Sequence, residues 1–165
     1  ILNLPKEKIL VTFLGNPSEP RKNIDLASKA LAYAGMSDAL YVPFPVEHER
    51  VPVILAATDI MLSTSTAEGS SNLIKEAMSC GCPIVATDTG DASWVLAGTE
   101  GCFITRFDPE EVAEKIRLAL KFAMVHGRTR GRERIKELGL DLEATADKII
   151  AVYAKVTGEC AESAE

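Results

Sequence analysis

Hydrophobic and polar positions follow two different periods along this chain, and the two periods alternate. Short apolar, β-branched runs between turn residues are typical of buried strands, and apolar residues three or four positions apart are typical of helices. Strands are predicted at Ile9–Leu14, Ala39–Val42, Ile60–Leu62, Ile84–Ala86 and Gly101–Ile104. Helices are predicted at Ile24–Ala34, Val51–Ala57, from Asn72 onward, and at Ala92–Leu96, Glu110–Val125, Glu133–Leu138 and Leu142–Val156.

This alternation predicts the fold class. Strand and helix units in series build a parallel sheet with helices on both faces, so we expect an α/β fold of the Rossmann-like, doubly wound type. With 165 residues the chain has room for one hydrophobic core. The predicted domain covers residues 9–157, between a linker at 1–8 and an acidic tail at 158–165. Ligands of such folds collect at the carboxyl ends of the strands.

The loop after the third predicted strand is small and polar and leads directly into a helix. It spans residues 63–72 and contains Glu68, and Glu76 follows about one turn inside the helix. The first-turn amides of a helix have no internal partners and carry partial positive charge, which suits phosphate or sugar oxygens. Both carboxylates are predicted to face the space above the strand ends, where they can accept paired hydrogen bonds from vicinal hydroxyls. Ser70 is the predicted N-cap of the helix, and Asn72 is a second candidate.

The loop after the first predicted strand carries two adjacent cations. It begins with Gly15 and Asn16 and ends with Arg21 and Lys22, just before a helix. Because both loops follow parallel strands, they are predicted to meet at one edge of the sheet. Charged donors of this kind can hold a diphosphate. For Arg21 a solvent-facing position is an equally open alternative.

Three further positions near the predicted site receive simpler interpretations. Gly90 is predicted to supply an unusual backbone angle or a close approach. Asp91 is predicted to be the N-cap of the following short helix. His48 is predicted to be a surface or satisfied histidine, in a loop that does not line both groups of candidate residues.

The order of motifs resembles a known family. Ser65-x-x-Glu68-Gly69, then Glu76-Ala77-Met78, Gly81-x-Pro83 and Gly90 resemble the signature of the family-4 retaining glycosyltransferases, also described as glycosyl transferases group 1. More narrowly, the residues around Glu68 and Glu76 and the pair Gly90-Asp91 resemble bacterial enzymes of teichuronic acid and related surface polysaccharides. Lys22 matches the family lysine. The family arginine has no direct match, because Asn16 follows Gly15, and Asn23 stands where glycine is usual.

The resemblance implies a role for each candidate residue. It implies that this chain is the carboxyl-terminal, donor-binding half of a GT-B fold, and that the amino-terminal, acceptor-binding half lies outside it. Lys22, with Arg21, would neutralise the donor diphosphate, and Glu76 would bind the ribose. Glu68 would orient the transferred sugar together with the amides of Gly69, Ser70, Ser71 and Asn72, with Gly15 and Asn16 beside the diphosphate. Glu68 and Lys22 are therefore the candidate catalytic residues.

The same resemblance implies the ligands. A UDP-sugar is the favoured donor, and no cofactor or metal ion is expected. The acceptor would be a glycan or a lipid-linked molecule bound by the missing half, so the isolated domain is expected to be inactive.

Composition excludes several classes of protein. A net charge of −6 disfavours a nucleic-acid binder, which has to neutralise phosphates. Apolar stretches stay well below the roughly twenty residues that cross a bilayer. The four cysteines lack the paired spacing of a zinc site and are interpreted as reduced thiols, which favours the cytoplasm. Peripheral association of the parent protein with the inner face of the membrane stays open.

Two alternative functions remain at this point. A non-hydrolysing nucleotide-sugar epimerase shares the two-domain plan but needs acid and base groups that the sequence does not identify. A non-catalytic, flavodoxin-like binding module is the second alternative. Arg21 and Lys22 disfavour a receiver-type regulator, because such a regulator has an acidic pocket at this position.

Overall fold

A computed structural model describes residues 8–158 of the chain. The predicted linker, except for its last residue, and residues 159–165 of the predicted tail lie outside the described residues. The strands are β1 (Val11–Thr12), β2 (Leu40–Tyr41), β3 (Ile60–Ser63), β4 (Ile84–Thr87) and β5 (Cys102–Thr105). The helices are α1 (Ile24–Ala34), α2 (Val51–Ala57), α3 (Asn72–Ser79), α4 (Ala92–Leu96), α5 (Pro109–His126), α6 (Gly131–Glu137) and α7 (Leu142–Thr157).

The five strands form one parallel sheet in the order β2-β1-β3-β4-β5. Val11 pairs with Leu40 on one side and with Ile60 on the other. The chain therefore winds outward from β1 first in one direction and then in the other, which places a topological switch point between β1 and β3. The loops that follow these two strands are the two loops that carry the candidate site residues. The predicted doubly wound α/β fold is confirmed.

Helices cover both faces of the sheet and divide the core in two. On one face α1 and α5 bury residues such as Leu31 and Ile116 against β1, β3 and β4. On the other face α2, α3, α4 and α6 bury residues such as Ile54 and Met78. None of the residues of α7, all of which the structure describes, is buried. Within residues 8–158, no helix combines the length and the apolar character needed to cross a bilayer.

The first two strands are shorter than predicted. Leu10, Phe13 and Leu14 are buried like the paired residues of β1, but only Val11 and Thr12 belong to the strand. Phe13 adds one hydrogen bond, from its amide to the carbonyl oxygen of Tyr41 at 2.9 Å. An apolar run indicates burial, and burial here extends further along the chain than backbone pairing does.

Candidate functional site

The loops after β1 and β3 meet at the carboxyl edge of the sheet through one carboxylate. Lys22 Nζ donates to Glu68 Oε1 at 2.7 Å, and Arg21 Nη1 donates to Glu68 Oε2 at 2.8 Å. The Glu68 side chain is 13% exposed, against 21% for Lys22 and 42% for Arg21. The structure thus brings together three of the predicted site residues, and both oxygens of Glu68 are occupied by cations.

Backbone contacts hold the two loops in this register. The amide of Thr66 donates to the carbonyl oxygen of Arg21 at 2.8 Å, and Arg21 donates back to the carbonyl oxygen of Ala67 at 3.1 Å. The hydroxyl of Thr64 lies 3.1 Å and 2.9 Å from the carbonyl oxygens of Lys22 and Asn23. The cations therefore sit on a backbone that is tied to the Glu68 loop.

Asn23 explains how the loop manages without the glycine that is usual in the family. Its φ of 53° and ψ of 52° place it in the left-handed region, between the short helical turn Pro20–Lys22 and α1. Asparagine adopts this conformation more readily than most residues with a side chain. The turn that presents Lys22 is therefore kept despite the substitution.

Gly15 and Asn16 shape the start of the same loop. A Cβ atom on Gly15 would lie 3.4 Å from Cδ of Lys22, so the lysine stem passes closely over this glycine. The side-chain oxygen of Asn16 accepts a hydrogen bond from the amide of Ser18 at 3.0 Å, a turn typical of asparagine. Both residues support the loop, and their predicted contact with a ligand stays a prediction.

The cations set the charge state of Glu68. Burial alone would raise the pKa of this carboxyl, but hydrogen bonds from Lys22 and Ser65 and the charges of Lys22 and Arg21 outweigh burial and lower it. The pKa of Arg21 is raised, first by its hydrogen bond to Glu19 and then by the charge of Glu68. Glu68 is thus an ionised carboxylate at neutral pH.

The backbone between Glu68 and α3 presents a row of free donors. Within residues 8–158, the amides of residues 68–73 donate to no protein acceptor. Ser71 is the N-cap, and its hydroxyl accepts from the amide of Ile74 at 3.5 Å. The predicted N-cap Ser70 is wrong by one position, because its hydroxyl is engaged elsewhere, and Asn72 is the first residue of the helix.

Gly90 brings the loop after β4 against the Glu68 loop. Its φ is +58°, and a Cβ atom there would overlap the carbonyl oxygen of Gly69 and lie 2.7 Å from that of Glu68. Both predicted reasons for a glycine, the backbone angle and the close approach, are confirmed. A side chain at this position would push the two loops apart.

Asp91 does not cap α4 as predicted. It stands at the N-cap position without a side-chain capping bond, and its Oδ2 atom accepts from the hydroxyl of Ser70 at 2.5 Å. Lys75 Nζ also contacts the Ser70 hydroxyl and lies 4.0 Å from Asp91 Oδ2. Asp91 binds Ser70 and not the first-turn amides of α4, because the close contact at Gly90 brings the two loops together.

Glu76 lies on α3 with its side chain 33% exposed, and within residues 8–158 it forms no hydrogen bond or ion pair with Arg21, Lys22 or Glu68. It helps to line a cavity of about 710 Å³ between α3, α6 and the start of α7. His48 Nδ1 lies 4.0 Å from Glu76 Oε1. The side chain of His48 is exposed, as predicted, but its approach to Glu76 was not predicted. The position of His48 after β2 could have indicated this approach. The chain there crosses the carboxyl edge of the sheet and enters α2, and α2 packs on α3.

Two solved structures illustrate the proteins that share this fold. Sucrose-phosphate synthase from Thermosynechococcus elongatus superimposes with a TM-score of 0.77 at 18% identity, over 96% of this chain and 48% of that one. HepE from Anabaena, solved in complex with UDP-glucose, superimposes with a TM-score of 0.66 at 18% identity, over 89% of this chain and 49% of that one. At this level of identity the likeness shows the fold.

Sequence comparison gives the family. D-inositol 3-phosphate glycosyltransferase 1 of Catenulispora acidiphila is 27% identical over 89% of this chain, and a D-inositol 3-phosphate glycosyltransferase of Xylanimonas cellulosilytica is 28% identical over 94%. The chain spans 36% and 37% of the length of these relatives. The family profile described as Glycosyl transferases group 1 matches residues 5–121, which include both loops of the site. This chain therefore belongs to the glycosyl transferases group 1 family.

Proposed function

We propose that this chain is the donor-binding domain of a retaining glycosyltransferase and that its donor is a UDP-sugar. The observation that carries the proposal is the convergence of Lys22, Arg21 and Glu68 beside the free amides of residues 68–73. Two cations suit a diphosphate, and the carboxylate and the amide donors suit the hydroxyls of the transferred sugar. The complex of the structurally similar HepE with UDP-glucose supports the choice of nucleotide.

In the proposed reaction the diphosphate is the leaving group. Negative charge develops on it as the bond to the sugar breaks, and donors that are already in place stabilise that charge without reorganisation. Lys22 and Arg21 would supply these donors as fixed cations. Because these groups perform the charge stabilisation, the proposal assigns no role to a metal ion or another cofactor.

The two glutamates would bind different parts of the donor. Glu76 is 33% exposed beside His48 and would accept hydrogen bonds from the ribose hydroxyls. Glu68 lies in the loop between β3 and α3, between the two cations and Gly69, and it would orient the transferred sugar. No residue is assigned as a nucleophile, and retention of the anomeric configuration follows from the family resemblance.

The parent protein would also bind an acceptor. The acceptor would be a glycan or a lipid-linked molecule of surface polysaccharide synthesis, bound by a part of the protein outside this chain. Three free cysteines in the described part of the chain favour a reducing compartment, so we place the protein in the cytoplasm or at the inner face of the membrane. Family membership favours this function over the epimerase and the non-catalytic module.

Calorimetric titration tests the donor site. The chain would be titrated with UDP, GDP and ADP and with their glucose conjugates, with magnesium and with a chelator. We expect saturable binding of the uridine ligands that survives chelation. Lys22→Ala and Glu76→Ala should each weaken binding by about tenfold or more, the value of one charged hydrogen bond.

Matched variants keep this test specific. Lys29→Ala and Glu114→Ala remove the same charges from exposed positions on α1 and α5 and should leave binding unchanged. Wild-type affinity in both Lys22→Ala and Glu76→Ala would reject the site assignment. Absence of binding to any of the nucleotides at millimolar concentration would reject the proposed function for this chain.

A further inference from the structure

We propose that Asp91 is a positioning residue for the transferred sugar, acting through Ser70 and Lys75. This inference rests on the proposed function. It assigns a task to three side chains that the roles given above leave unexplained, and it separates recognition of the sugar from recognition of the diphosphate.

The three side chains form a compact polar group between α3 and the loop after β4. The Ser70 hydroxyl donates to Asp91 Oδ2 at 2.5 Å, and Lys75 Nζ contacts the same hydroxyl. Lys75 Nζ and Asp91 Oδ2 lie 4.0 Å apart, and both side chains are about a quarter exposed, at 22% and 26%. One hydroxyl is thus held between a cation and an anion, which fixes its orientation and the position of the Ser70 backbone.

This group anchors the second end of the loop that carries the free amides. The first end is anchored by Glu68, which is bound by Arg21 and Lys22. Between the two anchors lies Gly69, whose carbonyl oxygen packs against Gly90. The amide donors of residues 69–72 are therefore held at both ends before any ligand arrives, and such preorganised donors bind more effectively than mobile ones.

The order of the strands indicates which part of a donor this second anchor serves. Arg21 and Lys22 follow β1, Glu68 follows β3, and Asp91 follows β4, so these groups succeed one another along the carboxyl edge. Glu76 and His48 lie toward the α2 side, where the nucleoside is proposed to bind. A donor with its diphosphate at the cations would extend its remaining part, the sugar, toward Gly69 and Asp91. Loss of Asp91 should therefore affect the sugar and spare the nucleotide.

The test compares affinities for UDP and for UDP-sugars in one set of calorimetric titrations. The probes are UDP, UDP-glucose, UDP-galactose, UDP-N-acetylglucosamine and UDP-glucuronic acid. The readout is the ratio of the Kd for UDP to the Kd for the best conjugate. Asp91→Ala should lower this ratio by about threefold or more, as expected for a lost hydrogen bond, while the Kd for UDP changes by less than about twofold.

Two further variants identify the cause. Asp91→Asn keeps an acceptor for Ser70 but loses the charge near Lys75, and it should recover part of the ratio. Asp88→Ala removes a neighbouring exposed carboxylate and should leave the ratio unchanged. Thermal unfolding of each variant reports whether the fold is intact.

The outcomes separate this inference from the proposed function. If Asp91→Ala weakens UDP and the conjugates equally, or changes neither, Asp91 does not position the sugar and the inference is overturned. If the wild-type chain binds UDP and all four conjugates with the same affinity, the inference fails while the diphosphate site stands. If the wild-type chain binds none of these ligands, the proposed function itself fails.

Discussion

Lys22 Nζ lies 2.7 Å from Glu68 Oε1, so the cation proposed for the donor diphosphate is paired with the carboxylate proposed for the donor sugar. Arg21 pairs with the second oxygen of the same carboxylate. A diphosphate that binds these cations must therefore compete with Glu68 for them. We expect this competition to weaken the binding of a free nucleoside diphosphate, whereas a donor that also carries a sugar would use Glu68 for its sugar hydroxyls.

Glu68→Gln should consequently bind UDP more tightly than the wild type does. The amide keeps the size of the side chain but removes a negative charge next to the phosphates, and we expect a gain in affinity of about threefold or more at low salt. The measurement is a calorimetric titration of both proteins with UDP. Glu114→Gln, a change of the same kind on α5, is the control. Unchanged or weaker binding of UDP by Glu68→Gln would show that the carboxylate does not compete for the cations.

Arg21 and Lys22 are expected to differ in importance. Lys22 is the less exposed of the two, and its side chain passes over Gly15 to bind Glu68. Arg21 is 42% exposed and shares its guanidinium with Glu19, at 2.7 Å. Exposed pairs contribute little because water screens them. Lys22→Ala should therefore weaken UDP binding more than Arg21→Ala does, as measured by titration, and the reverse order would assign the main phosphate contact to Arg21.

Gly90→Ala tests the contact between the loops after β3 and β4. Alanine at this position would have to adopt a φ of +58° and would collide with the carbonyl oxygens of Gly69 and Glu68. We expect a loss of about 1–3 kcal/mol in the free energy of unfolding and weaker binding of UDP-sugars, whose sugar is proposed to lie beside these loops. Urea unfolding and titration give the two values.

Gly98→Ala is the matched control for this substitution. Gly98 has a φ of +74°, but nothing lies within 4 Å of its Cβ position in the described residues. It should show the cost of the backbone angle without the collision and without an effect on the binding of UDP-sugars. Equal effects of the two substitutions would mean that the contact at Gly90 does not shape the site.

The sequence predicted those parts of the site that depend on local spacing. Lys22 and Glu68 each follow a strand within a turn-rich loop, and parallel strands bring such loops to one edge, so their convergence could be foreseen. Gly90 could be foreseen because only a glycine suits both a left-handed angle and a close approach. The fold class followed from the alternation of elements in the same way.

The predictions that failed concern side chains whose partner lies in another loop or helix. Asp91 has the right position for an N-cap, but Ser70 reaches it from another loop and its hydroxyl takes the carboxylate. Ser71 then caps α3 in place of Ser70. His48 reaches Glu76 only because α2 packs on α3. In each case a residue distant in sequence determines what the side chain contacts, and the residues next to that side chain in the sequence do not indicate this partner.

The thiols of Cys82 and Cys102 should resist alkylation while the chain is folded. Burial raises the pKa of Cys82 to about 12 and that of Cys102 to about 12, so very little thiolate exists at pH 8. We expect iodoacetamide to leave both residues unmodified in the folded chain and to modify both in urea, as mapped by peptide mass spectrometry. Cys82 is buried, whereas Cys102 and Cys80 are both partly buried, and Cys80 serves as the internal comparison. Rapid modification of Cys82 without denaturant would contradict its position in the core.

The cluster of Glu68 and its cations should also make stability depend on pH in the acid range. The pKa of Glu68 is lower in the folded chain than its ordinary value of 4.5, because hydrogen bonds and charges from Lys22 and Arg21 outweigh burial. A carboxyl with a lowered pKa stabilises the fold fully above its unfolded pKa, and this contribution is lost as the pH falls through the folded pKa. The wild type should therefore exceed Glu68→Gln in unfolding free energy at pH 7, by about 1 kcal/mol for the Lys22 pair.

Urea unfolding between pH 7 and pH 3 would follow the difference, which should shrink below about pH 4.5 as Glu68 becomes protonated. The pKa of Glu111 is lowered as well, by a hydrogen bond from Arg106, but this contribution is common to both proteins and cancels. A difference that stays constant down to pH 3 would mean that the charge of Glu68 contributes nothing to the stability of the fold.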